Sequence, residues 1–306
     1  MSTVRSPLVI GISSRALFDL EAENAIYENQ GLKAYSEYTR AHENEILRPG
    51  SGFELVRAFL KLNELTADRL VDVIIISRNS ADTGLRVLNS VEEYGLDIQR
   101  SAFVSGMPVT PYLDAYRTDL FLSAYEQDVY EAVNNGRAAG MLLPGHVGYR
   151  SKNPGQIRIA FDGDAVLFGA KSERIYKQEG LEAFSRHEKE NAGIPMPEGP
   201  FAPFLRTLTT VQAMFTEREE CPIRTALVTA RSAPAHKRAI LTLREWNVRV
   251  DETFFLGGNA KKDVLDAFGA DIFFDDQRVH ADPASEVVAS ALVPYRETDD
   301  PGKTED

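Results

Sequence analysis

Short apolar runs recur along the chain, each followed by a longer stretch in which apolar residues return at helical spacing. Leu8 to Ile12 and Val71 to Ile76 predict buried strands, as do Ile157 to Phe161 and Thr225 to Val228. NAIYENQGLKAYSEYTRAHENE, with alternating charge, predicts a helix. Phe53 to Asn63 and Phe201 to Phe215 predict two more, each after a Pro/Gly break. A further helix, a short strand, another helix and a strand ending at Leu122 or Phe274 complete the pattern. Strands alternating with helices predict an α/β fold: a Rossmann-like, three-layer parallel sheet with helices on both faces. Ligands in such sheets bind beyond the carboxyl ends of the strands.

The pattern is written twice. LDAYRTDLFLSA (Leu113 to Ala124) matches LDAFGADIFFDD (Leu265 to Asp276), 152 positions later. At the same offset Ile74 to Ala81 meets Ala226 to Ala233, Phe103 to Gly106 meets Phe255 to Gly258, and Tyr94 meets Trp246. Ile26-Tyr27 and Gly31-Leu32 meet Ile175-Tyr176 and Gly180-Leu181 at an offset of 149. Leu142-Leu143-Pro144 answers Leu292-Val293-Pro294. An offset this constant predicts an internal duplication, with units 1–150 and 151–306. The join from Gly145 to Gly155 has linker composition, and the charged tail 296–306 is expected to fray.

Composition narrows the function. At 306 residues, the chain has room for two domains of about 150. Hydrophobic residues at 43% and charged residues at 26% describe a folded chain rather than a disordered one. No apolar run approaches the roughly 18 residues of a membrane span, and the N-terminus lacks a secretory pattern. The single cysteine, Cys221, excludes an internal disulfide and a cysteine-built metal site. These features predict a cytoplasmic protein with no membrane partner. A net charge of −12 argues against a nucleic-acid partner. An anionic substrate would need a local site that overrides this field.

The strand ends of the second copy supply such a site. Asp162-Gly163-Asp164 follows the first strand, Thr229-Ala230-Arg231 the second, Lys261 the third, and Asp275-Asp276 the fourth. Taken singly, these are a turn, a strand-end hydroxyl, a surface lysine and a helix cap. Taken together, they are the parts of a magnesium-dependent phosphoryl-transfer site: hard oxygen ligands, a cation for phosphate charge, and a carboxylate able to act as nucleophile. A response-regulator receiver uses similar groups in another order. The order Asp-x-Asp, Thr, Lys, Asp-Asp resembles the haloacid dehalogenase-like hydrolase superfamily.

The surrounding text is more specific. SSRALF, YENQGL, AHENE, FDGDAVLF, SERI, HEKEN, CPIRTALVTARSA and IFFDDQ together resemble the cytosolic 5′-nucleotidase type I family, over almost the whole chain from Ser13 to Pro294. The resemblance implies Asp162 as nucleophile and Asp164 as general acid/base. It implies Thr229 and Lys261 as phosphate contacts, with Lys262 as the competing lysine. Arg231 is either a further phosphate contact or an exposed loop arginine. The implied metal is Mg²⁺, held by Asp162, the Asp164 backbone carbonyl, Asp275 and, through water, Asp276. The segment 169–200 would form a small helical cap. There Tyr176, Phe184 and His187 are candidates for base or ribose contact, although Tyr176 and Phe184 could instead pack the cap's own core.

The first copy reads as catalytically empty. Asp162 falls on Ser13 and Asp164 on Arg15, to within one residue. Lys261 falls on Val109, and Asp275-Asp276 on Ser123-Ala124; Ser77 alone keeps a hydroxyl, opposite Thr229. The expected activity is hydrolysis of AMP-like nucleoside 5′-monophosphates through an aspartyl-phosphate. The alternatives are a phosphatase of another small phosphomonoester and a nucleotide-binding regulatory protein. An effector nucleotide for the first half follows from the resemblance alone, and the sequence leaves open whether the chain forms a homo-oligomer.

Overall fold

The computed structural model describes residues 8–145, 153, 155–215 and 221–296; most of the join and the tail lie outside them. The first half contributes β1 (Leu8–Ile12), β2 (Val71–Ser77), β3 (Arg100–Phe103), β4 (Leu120–Ser123) and β5 (Ala138–Leu142). The second contributes β6 (Ile157–Phe161), β7 (Ile223–Thr229), β8 (Glu252–Phe255), β9 (Ile272–Asp275) and β10 (Ala289–Leu292). The first-half helices are α1 (Ser14–Leu17), α2 (Glu21–Ala41), α3 (Phe53–Lys61), α4 (Ala81–Glu93), α5 (Thr110–Ala115) and α6 (Glu126–Asn134). Those of the second half are α7 (Lys171–Glu190), α8 (Ala202–Gln212), α9 (His236–Glu245), α10 (Lys262–Phe268) and α11 (Arg278–Ala284).

All ten strands join one sheet in the order β3-β2-β1-β4-β5-β10-β9-β6-β7-β8. Both halves repeat one strand order outward from the centre. Pairing is parallel throughout except at the centre, where β5 and β10 run antiparallel with Ala291 opposite Leu142. Parallel strands covered on both faces read as continuous apolar runs, and β1 is buried along its whole length. Gly140 in β5 is required at this seam, because a Cβ there would lie 2.8 Å from the Ala291 Cβ.

One apolar core crosses the seam, containing Leu8, Phe53 and Leu142 from the first half with Phe161, Phe204 and Phe274 from the second. The Phe161 and Phe274 rings stack at 5.7 Å, and Phe201 lies 4.5 Å from Phe274. α8 of the second half packs on β1 and β5 as well as on β7. Thr207 on that helix donates to Asp119 of the first half at 3.1 Å.

Two features depart from the sequence reading. β5 and β10 were not among the predicted strands. Their sequences, AAGML and ASAL, are rich in small residues of weak strand preference, and they pair because the adjoining strands bring them together. Each predicted long helix is also broken at an equivalent glycine: Gly31 (φ 81°) in α2 and Gly180 (φ 84°) in α7. That left-handed backbone suits glycine and turns each stretch into two limbs.

Candidate active site

The four strand ends of the second half meet. Beyond β6, the Asp162 amide donates to the Phe274 carbonyl at 2.8 Å, which draws the chain toward the end of β9. At Gly163 a Cβ would lie 3.2 Å from Thr229 Oγ1, so the hydroxyl at the end of β7 sits against the Asp162–Asp164 turn. Lys261, immediately before α10, buries its ammonium between two acids: Nζ lies 2.7 Å from Asp162 Oδ1 and 2.7 Å from Asp275 Oδ2. Lys262 instead pairs with Glu286 at the surface. Of the two adjacent lysines, Lys261 is therefore the one in the site.

Burial governs the electrostatics. It pushes the Asp162 carboxyl up to about 6, against the pull of Lys261 and with the push of Asp275. Burial likewise raises Asp276 well above the carboxylate range, with Asp162 and Asp275 adding to it. For Lys261, burial favours the neutral amine, but Asp162 and Asp275 outweigh it and the pKa is raised. The ammonium thus offsets part of a dense negative charge.

Asp162, Asp275 and Asp276 each offer a carboxylate oxygen within 4.8 Å of the others. Asp276 Oδ2 accepts from the Tyr295 hydroxyl, whereas Oδ1 is buried without a hydrogen-bond partner. A buried acceptor left unpaired is costly, and carboxylate oxygens so grouped suit a hard divalent cation. The donor set therefore fits Mg²⁺.

Asp164 has a different partner. Arg231 grips it with both forks, Nε to Oδ2 at 2.8 Å and Nη2 to Oδ1 at 2.6 Å. The far side of Arg231 donates to Glu188 on α7, which is fully buried and also accepts from Arg238 at 2.9 Å and from Ser172 at 2.8 Å. Burial alone would raise Glu188, but Arg231, Ser172 and Arg238 outweigh it and its pKa is lowered. The exposed-loop expectation for Arg231 gives way here: it is buried, and its donors go to Asp164, Glu188, the Ala235 carbonyl and Met196 Sδ.

The family model described as 5′-nucleotidase matches residues 1–300. The chain belongs to the 5′-nucleotidase family. It is 38% identical over 290 residues to cytosolic 5′-nucleotidase 1B of Homo sapiens. That match covers 92% of this chain and 47% of the human protein, so the chain spans about half the length of this curated relative. No solved structure matches.

Around this candidate site, the three candidate substrate contacts differ in their surroundings. Phe184 is buried on α7, 5.4 Å from the Arg231 guanidinium carbon, and meets Tyr176 edge-on at 6.1 Å. Tyr176 remains half exposed. His187 Nε2 lies 3.3 Å from Arg238 Nη1, and Nδ1 lies 3.3 Å from Asn191 Nδ2; burial lowers its pKa. Sequence reasoning missed Glu188, Arg238, Glu173 and Tyr295. Glu173, in the first turn of α7, accepts from Gln277 at 3.1 Å, and Lys177 donates to Tyr295 at 2.9 Å. The HEKEN segment contained the signal for Glu188, but its arginine partners are 43 and 50 positions away. No helix among the described residues is long and apolar enough to cross a membrane.

Proposed function

We propose that the chain hydrolyses nucleoside 5′-monophosphates of the AMP type to nucleoside and phosphate, and that Mg²⁺ is its cofactor. The observation that carries this reading is the meeting of Asp162, Lys261 and Asp275 at 2.7 Å contacts, beside Thr229 and the unpaired oxygen of Asp276. Family membership supplies the substrate class.

Asp162 attacks phosphorus and Asp164 protonates the leaving 5′-oxygen, so that an aspartyl-phosphate forms as nucleoside departs. Asp164 then takes a proton from water as the acyl phosphate is hydrolysed. Thr229 and Lys261 hold the phosphoryl oxygens. Arg231 is a positioning residue that fixes the Asp164 carboxylate. Asp162 and Asp275, with the Asp164 carbonyl, would hold the cation directly, and Asp276 through water. When bound, Mg²⁺ supplies neutralisation of phosphoryl charge. A positioned acid contributes about 10²–10⁴ in rate for so poor a leaving group.

On this reading, residues 1–150 form a catalytically empty copy and 151–306 the catalytic unit. α7, within the segment 169–200, acts as a cap that excludes water. The test is steady-state phosphate release from nucleoside monophosphates and sugar phosphates, with Mg²⁺ and with chelator. The expected result is turnover of AMP or a related purine monophosphate that chelator abolishes. Faster turnover of a sugar phosphate would replace this reading with the other phosphatase.

A further inference from the structure

The first half carries a cavity of about 450 Å³ at the equivalent strand ends, lined by Ser14, Ser77, Asn79 and Tyr125 among others. This is within the range of small-molecule sites. Its origin is visible in the alignment of the halves. Asn79 stands where Arg231 stands in the second half. Arg231 spans from Asp164 to Glu188, whereas the shorter Asn79 reaches the Ser14 and Ser77 hydroxyls, at 3.0 and 2.8 Å, the Tyr35 hydroxyl at 2.9 Å and the Thr83 carbonyl at 3.5 Å. The volume that an arginine would fill is left open.

We infer that this cavity is a second small-molecule site, and that it takes an uncharged nucleoside. The ion pairing of the lining disfavours a phosphate. Among the described residues lining it, Arg78 is bound to Asp128 at 2.7 Å and Arg15 to Glu21 at 2.8 Å. Glu23, also in the lining, is paired with Arg86 at 2.6 Å. A phosphate would therefore find every arginine among the described lining residues already engaged by a carboxylate, and the positions that carry Lys261 and Asp275 in the second half are Val109 and Ser123 here. The rest of the lining suits a flat ring bearing hydroxyls. Tyr27, Leu32 and Tyr125 line the cavity yet remain substantially exposed, so an aromatic heterocycle can cover them. The carboxylates and serine hydroxyls accept from sugar hydroxyls.

This inference rests on the cavity and not on the catalytic reading. The test is calorimetric titration of the full chain with adenosine, with inorganic phosphate as competitor. Two variants divide the sites: Tyr125→Ala, at an exposed ring, and Asn79→Arg, which refills the cavity. Adenosine is expected to bind, to weaken roughly tenfold in Tyr125→Ala and to lose this site in Asn79→Arg. AMP turnover should stay within about twofold in Tyr125→Ala, and phosphate should not displace adenosine from the first-half site. Absence of binding at millimolar adenosine, binding unchanged in both variants, or displacement by phosphate from the site that Tyr125→Ala weakens would each overturn the inference. Loss of turnover in every preparation would instead remove the catalytic reading and leave this one standing.

Discussion

At the end of its first strand one half carries Ser13 and the other Asp162, yet both amides donate to the equivalent carbonyl across the sheet, Leu122 at 2.9 Å and Phe274 at 2.8 Å. The same backbone thus presents a hydroxyl in one half and a buried acid in the other. The contrast continues along the strand ends. Ser14, Ser77 and Asn79 form a neutral hydrogen-bonded set beside an open cavity. Asp162, Asp275 and Lys261 form a charged, buried set. One element is retained in altered form. Arg86 pairs with Glu23 in the first limb of α2, and its counterpart Arg238 pairs with Glu188 in the second limb of α7. Thr39 and Ser172 occupy the exchanged positions. A buried arginine needs a carboxylate, but either limb can provide it. Backbone and core therefore tolerate either chemistry, and a few strand-end side chains separate a buried charged cluster from an open neutral cavity.

The sharpest way to break this comparison is at its first pair. Asp162→Asn should lower turnover by at least about 10³-fold while leaving nucleotide binding measurable. Ser13→Ala should leave the rate within about twofold. Equal effects in a steady-state assay would mean that the halves are not divided as described.

Next is the lysine pair. Lys261→Ala should reduce kcat/KM by roughly 10²-fold, because a buried cation aimed at developing charge is lost. Lys262→Ala, at the surface, should leave it within about twofold. The reverse order would move the phosphate contact to Lys262.

The positioning of Asp164 gives the third test. Glu188→Gln should destabilise the fold by about 3 kcal/mol at neutral pH, since two buried arginines lose their shared carboxylate. The Glu188 pKa is lowered on folding from 4.5. Its stabilisation is therefore present above pH 4.5 and is lost as pH falls through the lower folded value. Denaturant midpoints of wild type and variant should differ at pH 7 and converge in acid. A gap that does not shrink would assign the loss to packing.

The smallest expected effect is at the surface pair Arg206–Glu198. Arg206→Ala should change stability by less than about 1 kcal/mol. A larger change would mean that this exposed pair supports the chain around Phe168.

Much of the candidate site was legible because strand ends follow apolar runs directly. Asp162, Thr229 and Asp275 could be placed by reading one residue past, or at the end of, a buried strand. Arg231 could not. Its position two residues after Thr229 was visible, but its partners were not, since Asp164 and Glu188 reach it from separate elements. Tyr295 was missed for a related reason: it closes on Asp276 from beyond α11 and β10, outside any predicted strand end.

What the sequence by itself determined was the alternation of strands and helices, the repeated register of the halves and the residue types at the strand ends. Local periodicity and backbone preference specify these within a few residues of each position. The tertiary structure alone decided that β5 and β10 join the halves into one sheet, that Arg231 serves Asp164, and that a cavity opens beside Asn79. Each of these depends on groups distant in sequence being desolvated together, and the cost of leaving a buried charge or backbone donor unpaired selects the arrangement only once the chain has packed.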